Sequence, residues 1–200
     1  MLEVEVKLKI NLKKVENKLK NLGFKLESVV YEKDTYFNSE IINLYKEDKA
    51  LRIREHKELA EDINNSNPHF TLNFKGPKID DSTMTRSETE FEIPSYTAGE
   101  TLIKGLGFTE AGNVEKIRSY FKKENINCCL DTVTNLGEFM EIEILTNDSG
   151  YDLAIKKIDD LLKMLGYTRA DTTRKSYLSM LGFIPVSSDK NQLLSNSRTP

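Results

Sequence analysis

The sequence predicts an α+β domain built on a mainly antiparallel sheet. Period-two alternation of apolar and charged residues recurs in separate short stretches, and helical periodicity appears in others. Most connections between the strand-like stretches are too short for crossovers, so neighbouring strands run antiparallel. Of the 200 residues, 38% are apolar and 30% charged, enough for one domain with a true core and a polar surface.

The first stretch is a strand: Leu2, Val4, Val6, Leu8 and Ile10 alternate with Glu3, Glu5, Lys7 and Lys9. Asn11 is placed to cap a helix whose apolar stripe is Leu12, Val15, Leu19 and Leu22. Strands are then expected at 31–38, 50–57, 70–75 and 87–93, separated by loops of Lys, Asp, Asn, Gly and Pro. A short helix over 95–106 precedes further strands at 116–122, 127–133 and 137–145. A longer amphipathic helix is expected over about 153–165, with Leu153, Ile158, Leu161, Leu162 and Leu165 inward, and a last one over about 172–181. The domain so read spans 1–183; residues 184–200 are polar and unperiodic, which predicts a disordered tail. Leu22-Gly23-Phe24, Leu106-Gly107-Phe108, Leu165-Gly166-Tyr167 and Leu181-Gly182-Phe183 each close a helical stretch. Glycine as a left-handed helix end explains the recurrence; a duplicated strand–helix–strand unit is the alternative.

Composition excludes several functions. Twenty-nine Lys and Arg against 32 Asp and Glu give a net charge of −3, a poor match for nucleic acid or an acidic membrane. No apolar run approaches the roughly 18–20 residues that cross a bilayer. Met1-Leu2-Glu3 leads into strand pattern without a signal-like stretch, so a cytoplasmic protein is expected. Cys128 and Cys129 are adjacent, hence on opposite strand faces, and read as free thiols. His56 and His69 have no Cys or second His at ligand spacing, which removes a structural zinc site. A nucleophilic triad would depend on one of these two, and His69 follows the loop Asn64-Asn65-Ser66-Asn67-Pro68. Chemistry therefore falls to carboxylates and basic side chains.

Those side chains recur on one strand face: Glu3, Glu5, Lys7; Arg52, Arg54; Lys75; Arg86, Glu88, Glu90, Glu92; Lys116, Arg118; Glu141, Glu143. Charged residues are normally depleted in strands. A solvated sheet face explains any one strand, but such a face would mix in Ser, Thr, Asn and Gln. If the sheet curls with this face inward, a dry interior is excluded, because an unpaired buried charge costs several kcal/mol. Arg and Lys would then fork onto phosphate oxygens, and carboxylates would hold a hard metal bridging them.

The same residues resemble the CYTH proteins, or triphosphate tunnel metalloenzymes, which include class IV adenylate cyclases, thiamine triphosphatases and inorganic triphosphatases. Glu3, Glu5 and Lys7 meet that family's E-x-E-x-K. Asp34-Thr35-Tyr36-Phe37 resembles its D-x-Y-F, Leu51-Arg52-Ile53-Arg54 its L-R-x-R, and Lys75-Gly76 its lysine before a turn. Arg86-x-Glu88-x-Glu90, Lys116-x-Arg118 and Leu130-Asp131 through Glu141-Ile142-Glu143 follow in order, so the resemblance covers roughly 1–180. It implies a closed eight-stranded antiparallel β-barrel, a triphosphate tunnel, with helices packed on its outside. Carried over by residue, Lys7, Arg52, Arg54, Lys75, Arg86, Lys116 and Arg118 bind the triphosphate. Glu3, Glu5, Glu141 and Glu143 form the main site for Mg²⁺ or Mn²⁺, with Glu88, Glu90 and Asp131 helping from the opposite wall. Arg174 closes one mouth or is a surface helix arginine; Tyr36 and Lys75 act as a catalytic pair, or Tyr36 is a strand aromatic.

The resemblance implies an enzyme on a small-molecule triphosphate (ATP, tripolyphosphate or thiamine triphosphate), with no nucleic-acid or membrane partner and, by family habit, a homodimer. Adenylate cyclase is the preferred reaction on the look of the whole chain. A triphosphatase shares every charged motif and is the alternative. A non-catalytic polyphosphate binder would lack the carboxylates, and all four of the main set are present.

Overall fold

The computed structural model describes residues 2–59, 67–81 and 83–183. The tail expected over 184–200 and residues 64–66 of the loop before His69 lie outside the described residues. Among the described residues nine strands are formed: β1 (Leu2–Lys9), β2 (Lys25–Asn38), β3 (Ala50–Glu58), β4 (His69–Lys78), β5 (Arg86–Ile93), β6 (Thr109–Lys123), β7 (Ile126–Val133), β8 (Gly137–Thr146) and the two-residue β9 (Thr172–Thr173). The helices are α1 (Leu12–Asn21), α2 (Tyr96–Gly105), α3 (Tyr151–Leu165) and the one-turn α4 (Tyr177–Met180). Among the described residues no helix is long and apolar enough to cross a membrane.

The strands lie in the order β5-β4-β3-β2-β6-β7-β8-β1, and β1 returns to β5 to close an eight-stranded antiparallel barrel. The closing seam is thin. It consists of the pair Glu3–Arg86 and a hydrogen bond from the Met84 N–H to the Glu5 carbonyl at 2.9 Å. β9 pairs with β1 further along, at Lys7 and Leu8. Because β8 occupies the other edge of β1, β9 extends the seam that β5 begins.

Alternation assigns the two faces. Val4, Val6 and Leu8 of β1, Cys128 and Leu130 of β7, and Met140, Ile142 and Ile144 of β8 point outward beneath α1 and α3, which bring Val15, Leu19, Ile158, Leu161, Leu162 and Leu165. Across the barrel, α2 lays Ile103 on Phe37, Ile53 and Leu72. Each such side chain contributes about 1.5–3 kcal/mol on burial. The hydrophobic core thus surrounds the barrel, and the charged face is left inside.

The helix ends follow the expected chemistry. Asn11 accepts from the Lys14 N–H at 3.0 Å and Ser95 from Ala98 at 3.1 Å. Gly23, Gly107, Gly166 and Gly182 all have φ between 84° and 87°. After each, the aromatic N–H reaches back to a carbonyl five residues earlier (Phe24 to Leu19, Phe108 to Ile103, Tyr167 to Leu162, Phe183 to Leu178). The recurrence is one helix-ending device used four times.

Three expectations are corrected. β2 and β6 start earlier than predicted, because register shifts at Leu26/Ser28 and Tyr36/Phe37 interrupt the alternation that marks a strand. The helix expected over 172–181 is instead β9 followed by α4: β-branched Thr172 and Thr173 pair with β1, and Ser176 caps a single turn by accepting from Ser179 at 3.1 Å. Leu153 is 59% exposed, since the inward stripe of α3 runs through Ala154 and Ile158 and leaves Leu153 about 100° away.

Candidate active site

A single cavity of about 2450 Å³ occupies the bore and opens between residues 43–50, the turn after β4 and the C-terminal segment from Thr172. Strand register lines it. Lys7 faces Glu141 and Glu5 faces Glu143 across β1 and β8. Arg118 faces Asp131 across β6 and β7, Arg54 faces Asp34 across β2 and β3, and Lys75 faces Glu88 across β4 and β5.

These neighbours form three ionic clusters. In the first, Lys7 Nζ lies 3.0 Å from Glu141 and 3.8 Å from Glu5. Arg118 donates to both Asp131 oxygens at 2.6 Å and also to Glu141, while the Tyr177 hydroxyl donates to Asp131 at 2.8 Å. In the second, Arg54 donates to Asp34 at 2.7 and 2.9 Å, and Arg52 to Asp34 at 3.1 Å. Completely buried Glu32 takes Lys116 at 3.0 Å, Arg54 at 3.1 Å and the Tyr120 hydroxyl at 2.8 Å. In the third, Lys75 donates to Glu88 at 2.6 Å, and buried Asn73 donates to Glu88 and, at 3.2 Å, to Glu90. Breaking one side of such a buried pair strands the other charge, at about 3–5 kcal/mol.

Arg86 differs. It is buried, yet among the described residues it has no carboxylate at ion-pair distance and only long hydrogen bonds to the Met84 and Gly76 carbonyls, at 3.5 and 3.4 Å. A buried guanidinium with so little compensation is suited to an anion from outside the chain.

The carboxylates divide electrostatically. Burial pushes Glu141 up, but Lys7, Arg118 and Lys116 outweigh it and hold the group well below the ordinary range. Asp34 is held low against the same penalty by Arg52 and Arg54, and Glu88 is brought down to about 2 by Lys75 and Arg52. At Glu3, Glu5 and Glu143, on the same part of the wall, burial wins. Glu3 rises to about 7, with Glu5, Glu88 and Glu141 adding to burial; Glu143 rises to about 8, with Glu3 and Glu141 adding; Glu5 rises from burial and Glu141. Neighbouring buried carboxyls that raise one another's pKa resist ionising together, and a hard divalent cation placed among them relieves that repulsion, so their chemistry fits Mg²⁺ or Mn²⁺. Among the described residues no three carboxylates converge at ligand distance, so binding requires these side chains to swing.

Glu3, Glu5, Lys7, Tyr36, Arg52, Arg54, Lys75, Arg86, Glu88, Glu90, Lys116, Arg118, Glu141, Glu143 and Arg174 all line this one cavity. Asp131 does not line it; the carboxylate is completely buried behind Arg118 and Tyr177. Tyr36 and Lys75 are not joined, because the Tyr36 hydroxyl lies 3.4 Å from Arg52 while Lys75 is bonded to Glu88. Arg174 sits at the mouth, but its guanidinium donates to the Thr83 carbonyl at 3.1 Å and the Asp80 carbonyl at 2.6 Å, tying the C-terminal segment to the turn before β5.

Sequence reading missed Glu32, Asn73, Tyr120 and Tyr177 as site residues, and took Asp34 only as part of a motif. Glu32 and Asp34 share the parity of Tyr36, which is the signal that could have found them. Tyr177 gave none, because nothing local shows that β9 pairs with β1 and brings the start of α4 to the bore.

The CYTH domain family matches residues 1–177. A Methanocaldococcus jannaschii protein provisionally named an adenylate cyclase is 39% identical over 184 residues, 91% of this chain and 99% of that protein. A solved structure from Pyrococcus horikoshii is 32% identical, with a TM-score of 0.79 over 90% of this chain and 97% of its own. A Hippeastrum protein, a provisionally named adenylyl cyclase described as having a dominant triphosphatase activity, has the same fold at 18% identity, with a TM-score of 0.66 over 90% of this chain and 94% of its own.

Proposed function

The chain belongs to the CYTH domain family, and from that premise we propose that it is a divalent-metal-dependent enzyme acting on a triphosphate inside the barrel, converting ATP to cyclic AMP and pyrophosphate. The observation that carries this reading is the cationic lining of the bore, above all Arg86, buried without a carboxylate partner among the described residues. Lys7, Arg52, Arg54, Lys116 and Arg118 align the phosphate chain, each held in place by the carboxylate it already touches. Lys75 turns from Glu88 to a phosphate oxygen. Such positioning and charge neutralisation account for most of phosphoryl-transfer catalysis. Glu3, Glu5 and Glu143, beside Glu141, would hold the Mg²⁺ or Mn²⁺, which when bound withdraws charge from the phosphate oxygens. Glu88 and Glu90, on β5, support that site from the neighbouring side of the seam and not from an opposite wall. Asp131 serves by orienting Arg118, and Arg174 by fixing the mouth.

In the cyclase the 3′-hydroxyl of ATP attacks the α-phosphorus and pyrophosphate leaves. The second reading is a triphosphatase, in which water attacks the γ-phosphorus of the same chain; the activity described for the Hippeastrum protein favours it. Product analysis by ³¹P NMR and nucleotide chromatography separates the two, with ATP, tripolyphosphate and thiamine triphosphate tested in Mg²⁺ and in Mn²⁺. Cyclic AMP with pyrophosphate is the expected result. Orthophosphate without cyclic product replaces the cyclase with the triphosphatase, and no product from any of the three overturns both.

A further inference from the structure

The C-terminal segment carries a side chain that the charged motifs do not include. Tyr177, at the start of α4, is 6% exposed and enters the bore from the mouth. Its ring packs edge-on against Phe139 at 5.1 Å and lies with Val114, Val133 and Leu178 in a small apolar cluster at that end of the barrel. The Lys7 ammonium stands 4.3 Å from the ring centroid and the Lys116 ammonium 5.6 Å, one from each side of the bore. Its hydroxyl donates to Asp131 at 2.8 Å, and Asp131 holds Arg118 with two hydrogen bonds. One aromatic side chain therefore touches two cations directly and a third through their shared carboxylate. β9 fixes where this side chain enters, since Thr173 pairs with Lys7 itself.

We propose that Tyr177 is a positioning residue of the triphosphate site, its ring fixing the ammonium groups of Lys7 and Lys116. The reasoning is physical. A lysine has four rotatable bonds, and a carboxylate on one side leaves its ammonium several directions, whereas an aromatic face attracts an ammonium at this range and narrows where it points. The effect is largest where water is scarce, and both lysines are less than 5% exposed. The segment after α3 thus becomes part of the site as well as a stave in the seam. This inference rests on the reading that the bore receives a triphosphate.

The test compares the full chain with Tyr177→Phe, Tyr177→Leu and Tyr177→Met. Tripolyphosphate binding is measured by calorimetry, the melting temperature is recorded, and the lysine side chains are observed by NMR without ligand. Phe keeps the ring and should leave the affinity within about threefold. Leu and Met keep apolar volume without a π face and should weaken it about tenfold or more in folded protein. The ε-methylene protons of Lys7 should resonate upfield in the parent and in Tyr177→Phe, and lose that shift in the aliphatic variants. Met, being unbranched, fills the site if Leu prevents folding. Aliphatic variants that bind as tightly as Tyr177→Phe, or an unshifted Lys7 in the parent, overturn this inference alone. A parent that does not bind tripolyphosphate overturns the reading of the bore, and the binding role of Tyr177 falls with it.

Discussion

At the scale of single residues, the bore is governed by whether the cations beside each buried carboxylate outweigh its burial and its acidic neighbours. Glu3 and Glu143 hold protons up to about pH 7 and 8 in the folded chain, against an ordinary value of 4.5. Between these limits the folded state binds more protons than the unfolded one, so the stability they contribute is present below about pH 4.5 and lost as the pH rises through 7 to 8. Glu88, at about 2, acts oppositely, and its contribution is lost only as the pH falls towards 2. The metal-free protein should therefore melt at a lower temperature at pH 8 than at pH 5. Mg²⁺ should restore more stability at pH 8, where binding displaces fewer protons. Calorimetric scans at both values, with and without Mg²⁺, check this; an equal Mg²⁺ increment at the two would remove the carboxylate corner as a metal site. Asp131 offers a second contrast. As the partner of buried Arg118, its replacement by Asn should cost about 3–5 kcal/mol in chemical denaturation. A metal ligand without that structural duty would instead lose activity at nearly constant stability.

At the scale of elements, what was legible is what repeats locally. Glu3-Val4-Glu5-Val6-Lys7 reads as a strand with one charged face because alternation needs no knowledge of its neighbours. Asn11 reads as a cap, and the four Leu-Gly-aromatic steps as helix ends, because those interactions close within a few residues. The failures occur where tertiary partners decide. The ends of β2 and β6 pass through register shifts, and β9 exists only because the edge of β1 is there to pair with. Gly112 marks one of these shifts. Its φ of +150° already disfavours a side chain, and an added Cβ would stand 2.6 Å from the Phe183 ring and 3.0 Å from Leu178. Gly112→Ala should therefore push the last turn of the described chain off β6. The expected loss is about 1–3 kcal/mol, read by urea denaturation, with faster hydrogen exchange at Phe183. Unchanged protection there would mean that this packing does not anchor the segment.

At the scale of the whole molecule, the barrel is inverted relative to an ordinary globular domain, with apolar faces under the helices and charges in the middle. Composition alone hides this. A net charge of −3 argues against a polyanionic surface ligand, yet it says nothing of an interior where Lys7, Arg52, Arg54, Arg86, Lys116 and Arg118 converge. Closure of the sheet was legible only through the family resemblance that the charged motifs carry, since a strand cannot signal from its own residues that a partner 83 positions away will close a seam at Glu3 and Arg86. The arrangement makes a claim about the molecule as a unit. Cations gathered at the cost of desolvation should be relieved by one ligand that spans them, so tripolyphosphate should stabilise the fold far more than orthophosphate at the same concentration. At 100 times its dissociation constant, a ligand of the native state adds about 2.7 kcal/mol. For a chain of this size that is a rise of roughly 5–10 °C in melting temperature. Orthophosphate reaches only part of the lining and should give a small fraction of that rise. Equal shifts from the two anions would mean that the cations act as separate sites, and a flat response to millimolar tripolyphosphate would leave the inward charges as paired wall and nothing more.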